Sequence, residues 1–63
     1  MSLLSQLRFA AHKAIATEVG YGGGDLAELV AVANLIAARE GCLAECCVVA
    51  AQPEKLRVRF FRC

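Results

Sequence analysis

The sequence holds no tryptophan, one tyrosine, one histidine, one methionine and one proline in 63 residues. With a single His12 and no Ser or Cys nucleophile set beside it, no catalytic triad can be assembled. No carboxylate pair stands in an apolar setting either, so no catalytic residue is assigned. No apolar run approaches the roughly 20 residues needed to cross a bilayer; the longest, Leu26–Ala38, contains Glu28 and Asn34. The amphipathic start MSLLSQLRFAAHKAIATEV is interrupted by Gln6 and Arg8, so it does not read as a secretory signal. The expectation is a cytoplasmic protein with no membrane association.

Charge is also missing in places. Residues 1–13 contain no acid, and all six carboxylates lie in residues 14–54, where Arg39 is the only base. Arg8 and Lys13 lie in the first segment, and Lys55, Arg57, Arg59 and Arg62 fall in residues 55–63. The net charge of +1 therefore conceals a basic terminal stretch, the one segment that could serve as an electrostatic footprint.

What is abundant is apolar surface. The hydrophobic fraction is 59%, above the usual ~45–50%. A chain this short buries only about 60% of the surface it exposes when unfolded, so a partner chain is an expected source of stability.

The pattern suggests one domain, residues 1–63. Ser2 can cap a first helix, with Leu4, Leu7, Ala11, Ala14, Ile15 and Phe9 at helical spacing. No Gly or Pro intervenes before Gly20, so this helix is expected to span about 2–19, followed by a Gly-rich turn over 20–24. Asp25-Leu-Ala-Glu28 has capping-box spacing and opens a second helix over about 25–40, with Gly41 as its stop. That helix is apolar almost all round, which marks it for burial. Leu29, Val32, Leu35 and Ile36 are its candidate oligomer-interface residues.

The period then shortens. Strands are expected over about 43–51 and 56–62, with Gln52-Pro53-Glu54-Lys55 as a type I turn. Pairing Ala51 with Leu56 sets Val49 opposite Val58, Cys47 opposite Phe60 and Glu45 opposite Arg62. The fold class is α+β: two helices followed by a C-terminal β-hairpin (ααββ), completed by oligomerisation.

Cys42, Cys46, Cys47 and Cys63 do not have paired-knuckle zinc spacing, and neighbours on a strand point to opposite faces. They read as small buried apolar residues, although Cys46 and Cys63 share a face and are placed to oxidise together. No metal or cofactor is expected.

The run GYGGGD at Gly20–Asp25 lacks the preceding strand of a dinucleotide fingerprint and the lysine of a P-loop. Asp25 would also repel a phosphate at the helix start. The stretch IATEVGY, Ile15–Tyr21, with Leu26 and Leu29 after it, resembles the turn region of AraC-type DNA-binding domains. There a pattern of roughly Ile-Ala-x-x-Val-Gly-Phe/Tyr leads into the recognition helix. The resemblance would make the helix from Asp25 the recognition helix; its first turn carries Asp25 and Glu28 rather than the Arg, Lys, Asn or Gln that meet bases.

Two functions remain. The first is a small non-catalytic regulator or inhibitor acting by protein contact as a homo-oligomer. Its candidate partner-binding residues are Tyr21, Arg57, Arg59 and Phe61, types that anchor interfaces. The second is nucleic-acid binding, through a degenerate helix-turn-helix or through the strand on which Arg57, Arg59 and Phe61 alternate onto one face.

Overall fold

In the computed structural model, which describes residues 2–21 and 24–62, the chain runs α1 (Leu3–Lys13), β1 (Ala16–Gly20), α2 (Leu26–Glu40), β2 (Leu43–Val49), β3 (Gln52–Phe61). The result is a small α+β fold of two helices and a three-stranded antiparallel sheet in the order β1-β3-β2.

α2 forms where its caps place it. Asp25 accepts from the Ala27 amide at 2.9 Å, one residue earlier than capping-box geometry expects. At the other end Gly41 sits at φ 73°. The Cys42 amide there donates to the Ala37 carbonyl at 2.7 Å and the Gly41 amide to Ala38 at 3.3 Å. This is the Schellman closure that glycine adopts without strain.

α1 ends by the same device without glycine. Ala14 takes φ 56°, ψ 46°. The Ile15 amide reaches the Ala10 carbonyl at 3.0 Å and the Ala14 amide reaches Ala11 at 3.1 Å. The expected helix over 2–19 therefore stops at Lys13. The residues after it, Ala16–Gly20, become an edge strand. Ile15, Thr17 and Val19 are β-branched and alternate, which favours a pleat over a helix. This segment pairs with β3, from Ala16 opposite Arg59 to Gly20 opposite Lys55. A helix-turn-helix would need these residues in helix and turn, so none is formed between residues 15 and 29.

The expected hairpin register is also corrected. The turn falls at Ala50-Ala51, not at the proline. Cys46 faces Val58, Ala44 faces Phe60 and Glu45 faces Arg59, with an irregularity between Val48 and Val49. The register moves by three residues, an odd number, which exchanges the faces of β2 relative to β3. Pro53 lies within β3, near its start and beside the irregularity, where a missing amide is tolerated.

Both helices cover one sheet face. Leu7, Ala10 and Ala11 of α1 and Leu29, Ala33, Ile36 and Ala37 of α2 pack on Val19, Leu56, Val58 and Phe60. No charged or polar residue is buried among the described residues. β1, α2 and β2 form a split βαβ unit, with β3 inserted between its two parallel strands.

The glycine-rich turn is described only at its ends, since Gly22 and Gly23 lie outside the described residues. At Gly24 the amide donates to the Tyr21 carbonyl at 2.7 Å. A Cβ there would stand 2.9 Å from that same oxygen, so the turn needs a glycine at this position.

Candidate functional site

The sheet face turned away from the helices gathers charged side chains from all three strands. On central β3 it presents Arg57, Arg59 and Phe61, the alternation expected of a strand. Register sets Glu18 and Cys47 on either side of Arg57, Ala16 and Glu45 on either side of Arg59, and Leu43 beside Phe61. Arg57 donates through Nη2 to Glu18 Oε2 at 2.8 Å and through Nε to the same oxygen at 3.3 Å. The hydrogen bond to Glu18, with its charge, pushes the Arg57 guanidinium up. Arg59 Cζ lies 5.2 Å from the Phe61 ring centroid, a cation–π contact.

Two guanidiniums and two carboxylates share the centre of this face, and Lys55, two residues before Arg57, leaves it one positive charge in excess. A phosphate backbone needs a net positive surface. Among the described residues Glu18–Arg57 is the only ion pair. Glu45 stands opposite Arg59 rather than Arg62.

Tyr21 does not join these residues. It leaves β1, donates its amide to the Glu54 carbonyl and its hydroxyl to the Pro53 carbonyl, and packs against the core. Its ring ties the Gly-rich turn to the start of β3, so of the four partner-binding candidates only Arg57, Arg59 and Phe61 converge.

Of the four oligomer-interface candidates, Leu29 and Ile36 are buried within this chain. Val32 is half-buried and Leu35 is 56% exposed. A groove of about 460 Å³ opens between the helices, with Leu4 and Arg8 of α1 facing Val32, Leu35, Ile36, Arg39 and Glu40 of α2. Leu4 (50% exposed) and Phe9 (54%) belong to the stripe expected to face the core, yet point outward. Phe9 lies under Lys13, whose Nζ is 6.0 Å from the ring centroid. Sequence spacing missed this surface because α1 is only 11 residues long and meets the core through Leu7, Ala10 and Ala11 alone.

The cysteines divide. Cys42 is disulfide-bonded, which corrects the reading of every cysteine as a small apolar residue. Cys46 and Cys47 are free thiols, and Cys63 lies outside the described residues. The expected Cys46–Cys63 pairing falls on a residue outside those described, and Cys46 is a free thiol. Cys46 lies on the core side of β2, where burial, and then neighbouring Cys47, push its thiol up. Cys47 is exposed on the open face, opposite Arg57.

Among the described residues no helix is long and apolar enough to cross a membrane. No protein-family model, curated protein or solved structure matches this chain.

Proposed function

We propose that this chain is a small non-catalytic regulator that acts by protein contact, assembling with itself through its helical side and meeting a further partner through its open sheet face. The observation that carries the reading is the uncovered apolar groove between α1 and α2, with Leu4 and Leu35 standing half out of it. Large apolar side chains clustered beside charged groups mark interaction surfaces. The sheet face adds a candidate anchor pair, Arg59 over the Phe61 ring with Leu43 alongside. Working as an inhibitor or regulator needs nothing more than occupancy of a partner's surface.

One observation favours a second reading: Phe61 on an open sheet beside an exposed arginine could stack a single-stranded base. The pairing of Arg57 with Glu18 and the position of Glu45 weigh against it.

Co-purification with a tagged copy from the native host separates the two. The expected result is a protein retained through nuclease treatment and lost in Arg59→Ala/Phe61→Ala. Retention abolished by nuclease alone, or salt-dependent binding of the pure chain to single-stranded oligonucleotides, would replace the first reading with the second.

A further inference from the structure

One flank of α2 carries four residues in register. Glu28, Val32, Leu35 and Arg39 fall within an arc of about 60°, about 100° round the helix from Leu29, Ala33 and Ile36 in the core at 3.6 residues per turn, and the inner edge of the stripe, Val32, also packs against that core. Glu28 stands at one end of this stripe and Arg39 at the other. Neither is engaged in an ion pair among the described residues. Glu28 does not close a capping box, since Asp25 bonds Ala27 instead. Glu28 and Arg39 share one midpoint along the helix with Val32 and Leu35.

That shared midpoint is a symmetry property. A two-fold axis through it runs a second α2 antiparallel to the first. It brings each Glu28 to the other copy's Arg39 and each Val32 to the other copy's Leu35. Isologous interfaces require such self-complementarity. A parallel pairing would instead oppose Glu28 to Glu28 and Arg39 to Arg39. Ala31 and Ala38 border the stripe and are exposed; their small side chains permit helix axes about 8–10 Å apart. Leu4 of α1 continues the apolar surface on the groove side.

We propose that the chain forms a two-fold dimer through this stripe, with Val32 and Leu35 at its centre and two Glu28–Arg39 pairs at its ends. The proposal rests on the reading of the chain as a self-associating contact module and gives that association a geometry.

Sedimentation equilibrium on Glu28→Arg, Arg39→Glu and their mixture tests it. Each single reversal replaces both pairs by like-charge contacts and is expected to raise the dimer Kd by on the order of tenfold. Mixed in equal amounts, the two variants regain both pairs between unlike chains, so a heterodimer of near wild-type affinity is expected. The double reversal within one chain should likewise restore the homodimer. Circular dichroism checks that each variant folds. Should a reversal fail to fold, Glu28→Gln/Arg39→Gln removes the pairs without repulsion and is expected to weaken the dimer about threefold. A wild-type dimer indifferent to these changes overturns the antiparallel geometry and leaves self-association standing. A wild-type chain that stays monomeric at high micromolar concentration overturns both.

Discussion

Ala14 shows how much a single backbone conformation decides. It ends α1 in the left-handed region, at φ 56°, where an L side chain crowds its own carbonyl. Ala14→Gly should raise stability by ~1 kcal/mol in urea unfolding, since glycine reaches this region freely. Gly41→Ala, at φ 73°, should lower it by ~1 kcal/mol. The two thiols of β2 should differ as clearly. Cys47 is exposed, whereas Cys46 is partly covered and its thiolate is disfavoured. Iodoacetamide followed by peptide mapping should label Cys47 first; preferential labelling of Cys46 would contradict the face assignment. Because folding raises the Cys46 pKa, its contribution is fully present below the ordinary thiol value of ~8.5 and is lost as pH rises through the folded value. Unfolding midpoints compared at neutral and alkaline pH should fall more for the wild type than for Cys46→Ala.

At the scale of the element, β3 carries the fold. It pairs on both edges and supplies Leu56, Val58 and Phe60 to the core. Phe60→Ala should cost ~3–5 kcal/mol, enough to unfold so small a chain in a thermal melt. What the sequence made legible here follows from where its punctuation lies. α2 is bounded by Asp25 and Gly41, residues whose chemistry suits only a cap, and its limits were readable. α1 closes with the same hydrogen bonds on an alanine, a residue that otherwise favours helix, so Ala16–Gly20 looked like its continuation. The alternation of Ile15, Thr17 and Val19 was the available signal, outweighed by the absence of a breaker. In the sheet, Pro53 is a strong turn former and drew the turn onto itself. The turn uses Ala50-Ala51 instead, residues with no turn signature. The alternation of Arg57, Arg59 and Phe61 was readable because it depends on β3 alone. Their neighbours Glu18, Glu45 and Cys47 were not, because those depend on β1 and on the register of β2.

At the scale of the whole molecule, the sheet face, centred on the Arg57–Glu18 pair, and the helical side, with an apolar groove edged by Arg8, Arg39 and Glu40, are two surfaces of different character. If the helical side is covered by a second copy, stability becomes inseparable from concentration. The melting temperature should then rise by several degrees over about a hundredfold increase in protein concentration. In the Leu35→Asp variant it should not change with concentration. Leu35 is 56% exposed in the single chain, so its loss removes the contact while sparing the core.

The middle strand of the sheet is the last of the three in chain order. Until β3 is available, β1 and β2 have no neighbour, because each pairs with β3 and not with the other. The Glu18–Arg57 contact alone spans 39 residues of sequence. β2 and β3 pair locally across the Ala50-Ala51 turn, whereas docking β1 onto β3 is the long-range step, whose loop closure precedes its reward. The hydrophobic faces of β1 and β2 stay open until β3 pairs with them, so the partly folded chain is most prone to misassociation before that strand docks.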